Sequence, residues 1–500
     1  MRSTRTAAVV LQSFSSGLPL GLVWYAIPDW MRDIGVDIRV VGLITLAQAP
    51  WTFKVLWAPL MDRYIPPFWG RRRGWMAVTQ VALFIFGLLL AGVGAHPDAI
   101  WVVGALAMGT ALASASQDIA IDAYAVEVLH KDEQGAAAGA RTALYRVALL
   151  VSGGVSITLA ARIGWPAVNV LMAMLYLPML LLSWRSPEPE VTIPPPRSLR
   201  EAVWQPFISF LARPRALEIL AFVVFYKLAD QLAQSLTRPF LIDMGYSADQ
   251  RGVALATIGV AGTVVGALLG GWVTTLFGLG HALWIFGVLQ LFSNVGYYIL
   301  SILGQPHVPA MYAATGFELL TSGMGTGAFS VLLLRLTEKR FSATQYALFS
   351  SLFALPRVLA GPITGFTVAA LGWPAFFLTT LVAGVPGLIM LNRFAPLGVR
   401  EPAFDDSGDG DAVGPVGGMW RPGLISAAAL AVGSTALLSV LDAMDRVRTQ
   451  PGAPFDLWAA FWRISHPADS GGWVQLVGIA AFAVVGGMFS AAARARRRAV

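Results

Sequence analysis

Asp118 and Asp122 stand four residues apart in ASASQDIAIDAYAVEVL (113–129), inside a run of about thirty mostly apolar residues. That spacing puts both carboxylates on one face of a helix. A carboxylate at bilayer depth costs roughly 2.5–3.5 kcal/mol. Two on one face must be paired, protonated or open to a wet cavity, and each option points to transport. Like charge and partial burial suit them to taking up and releasing a proton. The alternative is a plain salt bridge to a base on a neighbouring helix, such as Lys54 or Arg146. Spacing does not separate the two acids.

Other polar residues interrupt apolar runs. Lys227 and Asp230 are three apart, with Gln231 and Gln234 extending the same face, and an i,i+3 pair can neutralise itself. Glu318, beside Thr321 and Ser322, is a second candidate proton site. Arg146 and Arg357 each fall near mid-span, where a guanidinium needs a carboxylate or a wet cavity and suits an anionic cargo. Gln117, Tyr124 and Tyr145 lie near the charged faces and offer polar and aromatic surface to a cargo. Gly262, Gly266 and Gly270 form a double G-x-x-x-G that helix packing explains. Gly323-Met-Gly325-Thr-Gly327 lies mid-span with no preceding strand, so it is no nucleotide loop. The five histidines make no metal spacing.

The elements that must hold these groups are membrane helices. Of 500 residues, 56% are hydrophobic and only 13% charged, and mean hydropathy is +0.65. Apolar runs long enough to span recur throughout, whereas a barrel would show ten-residue alternation. The expected spans lie near 7–30, 40–60, 75–95, 99–126, 139–161 and 165–184. Six more follow near 216–241, 252–277, 281–303, 309–334, 343–370 and 374–393, and two last ones near 423–441 and 472–490. The expected domains are a six-helix half (1–184), a cytoplasmic connector (185–215), a second six-helix half (216–394), a flexible linker (395–422), and two extra helices with a basic tail (423–500). Residues 454–467 read as an interfacial helix or a loop. With the N-terminus inside, 23 of the 35 Lys and Arg fall in cytoplasmic segments and seven outside, which supports cytoplasmic termini. No Cys is present, which excludes disulfides, and no cleavable signal peptide is evident. The net charge of +7 follows topology rather than nucleic-acid binding.

Six spans, a long connector and six more is the layout of a transporter of two repeated halves. After the second span, APLMDRY (58–64), then IPPFW and Gly70-Arg71-Arg72-Arg73, resemble the G-x-x-x-D-R-x-G-R-R signature of the major facilitator superfamily, with Ala58 in place of Gly and an insertion. The resemblance implies a cytoplasmic gate at Asp62 and Arg63, with Arg71–Arg73 also readable as a plain basic anchor. SSGLPLGL (15–22), FKVLWAPLMDRYIPPFWGRRRGW (53–75), SASQDIAIDA (114–123), YKLADQLAQSL (226–236), GMGTGAF (323–329), FSATQYAL (341–348) and LDAMD (441–445) narrow it to the bacterial AmpG-type muropeptide permeases, relatives of acetyl-CoA transporters. This resemblance implies a polytopic all-α fold of about fourteen helices. It also implies proton-driven import of N-acetylglucosaminyl-anhydro-N-acetylmuramyl peptides across the bacterial inner membrane. The expected proton-coupling residues are Asp118, Asp122 and Glu318. Lys54, Gln117, Tyr124, Tyr145, Arg146, Lys227, Asp230, Gln231 and Arg357 are the expected substrate contacts. Another organic anion, acyl-CoA-like, or drug–proton export is the alternative. No enzyme motif, cofactor, metal or nucleic-acid partner is expected, and the chain is expected to be a monomer in the lipid bilayer.

Overall fold

The computed structural model describes residues 3–36, 45–93, 100–190, 194–213, 215–303, 306–402, 420–449 and 454–468, with scattered positions between 472 and 491. Every regular element among them is helical. A helix satisfies its own backbone hydrogen bonds, the condition for crossing lipid.

The first half holds α1 (Thr4–Asp33), a broken helical run α2 (45–63), α3 (Arg71–Val93), α4 (Ile100–Val128), α5 (Gln134–Ile163) and α6 (Trp165–Arg185). Proline sets the irregularity of α2: Pro50 and Pro59 each open a short helical piece, because proline lacks the N–H that would continue the ladder. A connector helix α7 (Leu199–Ala212) starts at Ser198, whose hydroxyl accepts the Glu201 N–H. The second half holds α8 (Ala216–Ser235), α9 (Thr237–Asp243), α10 (Asp249–Phe277), α11 (Leu279–Ile302), α12 (Val308–Leu336) and α13 (Ser342–Phe394). In α13 two expected spans meet at Gly372, whose φ of 76° only glycine adopts freely. Then come α14 (Trp420–Thr449) and the short α15 (Leu457–Ser465). The side chain of Asp456 caps α15, and Arg463 pairs with Asp442 of α14, so the helix alternative holds for this segment.

Ten of the described helices are long and apolar enough to cross a membrane. The expected spans near 40–60, 216–241 and 343–370 are not among the ten, and 472–490 is only partly described. The first of these is broken by its prolines, and its opening residues (37–44) lie outside the described residues. The second ends at Leu236 and restarts as α9.

Glycine decides which helices touch. A Cβ on Gly266 of α10 would stand 2.1 Å from the Leu320 carbonyl oxygen of α12, and one on Gly270 would stand 2.4 Å from that of Met324. The G-x-x-x-G stripe is therefore a backbone-on-backbone seam. A second seam joins the halves: a Cβ on Gly139 of α5 would lie 2.9 Å from the Cα of Gly271 in α10. Its signal was in the sequence as Gly135-Ala-Ala-Ala-Gly139.

The ends of the helices that carry Arg71–Arg73, Lys131, Arg335 and Arg340 form one basic end, laced together there. Arg5 bonds His130 and Glu190. The hydrogen bond to the Arg5 guanidinium, with the charge behind it, holds the exposed Glu190 carboxyl below its usual range, so this latch survives mild acidification. Arg213, just past α7, donates to the Leu336 carbonyl at 2.8 Å and pairs with Glu338 at 3.0 Å.

Candidate transport site and gate

In the first half, α4 positions Asp122 against α2 and α5. Arg141 Nη2 lies 2.6 Å from Asp122 Oδ1, and Lys54 Nζ lies 3.4 Å from Oδ2. Arg141 Nε also donates to Ser13 Oγ at 3.1 Å, and Tyr346 of α13 faces this pair from the other half. Asp118, one turn along α4, has a different setting: the Ser16 hydroxyl of α1 donates to it. Gln117 donates to Ser15. Gln12, Gln80 and Ser183 close a ring of three hydrogen bonds of 2.8 Å that ties α1, α3 and α6.

The second half carries its own cluster. Lys227 Nζ pairs with Asp230 at 2.9 Å and donates to Gln290 Oε1 at 3.0 Å. Gln234 donates to Glu318 at 2.6 Å and to Ser322 at 2.9 Å, and Ser322 donates to Asp230 at 3.2 Å. Gly325 makes this possible, because a Cβ there would sit 1.4 Å from Gln290 Nε2. The two clusters differ in access. The side chains of Lys54, Asp122 and Arg141 keep 9%, 14% and 14% exposure, against 1% and 2% for Lys227 and Asp230. The first keeps some exposure and lies beside Tyr346 of the other half; the second is almost wholly buried.

At the basic end, fully buried Asp62 accepts from Arg71 at 2.8 Å and Arg72 at 2.6 Å. It also accepts from the Thr344 N–H at 2.8 Å and hydroxyl at 2.7 Å, across the boundary between halves. Glu127 accepts from Arg72 at 2.7 Å and from the Ser342 hydroxyl at 2.5 Å. With the Ala343 N–H at 3.3 Å, five donors from both halves converge on the Asp62 carboxylate.

A profile of the Major Facilitator Superfamily matches residues 9–361. The chain belongs to that superfamily. It is 44% identical over 389 residues to the anhydromuropeptide permease of Escherichia coli (strain K12), covering 77% of this chain and 79% of that one. The solved structure of the proton:xylose symporter XylE, bound to 6-bromo-6-deoxy-D-glucose, superposes with a TM-score of 0.60 at 13% identity, covering 79% and 97%. A bacterial homologue of the iron transporter ferroportin, in its outward-facing state, gives 0.58 at 11%, covering 78% and 98%. These two likenesses show the fold.

Several sequence expectations for this facilitator change. The base that joins Lys54 on Asp122 is Arg141, not Arg146. Helix α5 begins at Gln134, before the expected 139, so Arg141 lies two turns inside rather than in a loop. Arg146 is exposed, two turns beyond Gly139 on the α5 stripe that touches α10. The partners of Asp62 are Arg71 and Arg72, whereas Arg63 lies over the Tyr64 ring. The insertion before Gly70 carries the downstream arginines back over Asp62. Tyr124 is fully buried and donates to the Pro187 carbonyl at 2.7 Å, so it is no sugar platform in this conformation. Gln117, Lys227, Asp230 and Glu318 are likewise closed off from the central space. Tyr145 and Gln231 are partly buried. The side chain of Arg357 lies outside the described residues. Sequence reading missed Arg141, Glu127 and Thr344, which become partners only once α4, α5 and α13 are packed.

The Gly139–Gly271 contact gives a direct expectation. Gly271→Leu places a side chain where even a Cβ would be 2.5 Å from the Gly135 carbonyl. It wedges the halves apart at the basic end. With Cys introduced at buried Ala343 of this cysteine-free chain, labelling by a polar thiol reagent should then rise about tenfold. Unchanged labelling would show that this seam does not hold the halves together.

Proposed function

We propose that this facilitator imports cell-wall-derived anhydromuropeptides across a bacterial inner membrane, driven by the proton-motive force, with the basic end and both termini in the cytoplasm. The cargo assignment rests on the 44% identity to a protein of that name. The observation that carries the mechanism is the Lys54–Asp122–Arg141 cluster, which holds two cations at the edge of the space between the halves. Together with exposed Arg146 it offers guanidinium and ammonium groups to the carboxylates of an anionic muropeptide. Cargo that takes over part of the ion pairing on Asp122 loosens contacts that tie α2 to α4 and α5. The gate at Asp62 then exchanges with an opening at the basic end, and the halves alternate in access. The division into halves at 184 and 216, the two further helices and a monomeric state complete the reading.

The test is uptake of labelled anhydromuropeptide into vesicles. Wild-type protein should accumulate it under an inward proton gradient and stop when an uncoupler is added. Arg146→Gln should raise KM about tenfold with kcat little changed, since it removes a charged contact to cargo. Vesicles that take up another organic anion but not the muropeptide would overturn the cargo, and a normal KM would remove Arg146 from the site.

A further inference from the structure

We propose that Asp118, rather than Asp122, takes the coupling proton, and that the proton reaches it along a polar seam inside the first half, through Ser114, Thr110 and Asn169, apart from the cargo path. The assignment rests on the proton-driven reading above and says where in the molecule that proton travels.

Ion pairing separates the two acids. Both oxygens of Asp122 are engaged by cations, so a proton there would displace Arg141 at 2.6 Å and Lys54 at 3.4 Å. Asp118 accepts a hydroxyl hydrogen bond from Ser16 and no ion pair within 4 Å, among the described residues. A proton added to its carboxylate breaks no salt bridge. The Ser16 hydroxyl can turn and accept from the new O–H, because a hydroxyl serves as either donor or acceptor.

The route is marked by polar atoms that the protein itself does not satisfy. Thr110 Oγ1, Ser114 Oγ, Gln117 Oε1 and both side-chain polar atoms of Asn169 are buried without a hydrogen-bond partner among the described residues. Their residues are between 0% and 3% exposed. Buried polar atoms are almost always partnered, by protein or by ordered water. These lie in register. Thr110, Ser114 and Asp118 follow at spacings of four along one face of α4, so Thr110 sits about 12 Å from Asp118, away from the basic end. On α6, the ring of Tyr176 stands close enough to Asp118 to feel its charge, and Asn169 lies two turns further from the basic end on the same face. The unpartnered groups therefore run from Asp118 toward the non-basic end, α4 and α6 each packing against α1 and α3, which stand between them. Hydroxyls, an amide and water in such a file can pass a proton without opening the space between the halves.

Charge explains how proton and cargo would be linked. The groups that face Asp118 are Lys54 from α2, Asp122 from its own helix, Arg141 from α5 and Tyr176 from α6, with Tyr346 of α13 beyond Asp122. Helix α1 contributes hydroxyls and α3 the neutral Gln80. Two cations face two carboxylates. Protonating Asp118 leaves the cluster with one net positive charge, which favours an anionic cargo. By reciprocity, bound cargo favours the proton.

The experiment compares gradient-driven accumulation with cargo exchange in proteoliposomes. An imposed gradient of about one pH unit supports about tenfold accumulation per coupled proton. Wild-type protein should reach it. Asp118→Asn should give no accumulation above the outside concentration, yet still exchange labelled for unlabelled cargo. Asp118→Glu should accumulate with a displaced pH profile. Ser114→Ala with Asn169→Leu should slow driven uptake while exchange continues. In detergent, a pH dye should show proton uptake when cargo is added to wild type and none with Asp118→Asn. Accumulation by Asp118→Asn equal to wild type overturns the assignment, as does a double variant of the seam with normal driven rates. If Asp118→Asn neither accumulates nor exchanges, Asp118→Glu decides: an unchanged pH profile overturns the assignment and a displaced one sustains it. Wild-type protein that ignores the gradient instead removes the proton-driven reading itself.

Discussion

Asp62→Asn should unlatch the basic end. The carboxylate it replaces is fully buried and receives two guanidinium groups, two backbone N–H groups and the Thr344 hydroxyl. An asparagine keeps one acceptor oxygen and turns an amide donor toward groups that are all donors. Breaking a buried ion pair from one side costs about 3–5 kcal/mol. At about 1.4 kcal/mol per factor of ten, the equilibrium should move by roughly a hundredfold or more toward the state open at this end. Cys placed at Ala343, which is 1% exposed in a chain with no native thiol, reports the change as faster labelling. Part of the loss falls within the first half, where Arg71 and Arg72 reside. Thr344→Val removes a bond that exists only between the halves, and should accelerate labelling by about tenfold. If Asp62→Asn labels at the wild-type rate, Asp62 is not a latch.

Gly266→Ala should be the most damaging single methyl in the second half. Its Cβ would stand 2.1 Å from a backbone carbonyl oxygen, which cannot step aside as a flexible side chain can. Helices α10 and α12 would have to separate along the whole seam. Overpacking of this kind costs about 1–3 kcal/mol, which in a chain of this size lowers Tm by about 1–3 °C. At Gly262, four residues along the same stripe, the nearest atom is 3.2 Å away, so Gly262→Ala should cost a fraction of that. Thermal unfolding in detergent compares the two, and equal Tm values would show that the seam is not what sets this packing.

Both predictions draw on features that the sequence announces as residue types but not as contacts. The G-x-x-x-G stripe was legible because small residues at a spacing of four have one structural use in an apolar helix. That Gly135–Gly139 forms a second such stripe, and that it meets the opposite half, required the tertiary structure. Asp62 was legible through its resemblance to a signature, yet Arg63 beside it was the wrong partner. The local chain places Arg63 on the Tyr64 ring, while Arg71 and Arg72, at the start of α3, point back over the turn.

The polar residues show the same division. The sequence by itself determined that this is a helical membrane protein and that its spans carry buried charge, because hydropathy and the cost of ions in lipid act residue by residue. Spacing of three set Lys227 on Asp230 before any fold was known, since one helix turn suffices. Only the tertiary structure decided what Asp118 and Asp122 are. They share one face of one helix, but Arg141 and Lys54 arrive from α5 and α2 at Asp122, and a serine of α1 arrives at Asp118. Periodicity fixes direction within a helix. Which neighbour stands opposite, and whether it brings a charge, a hydroxyl or nothing, is set by how the helices pack.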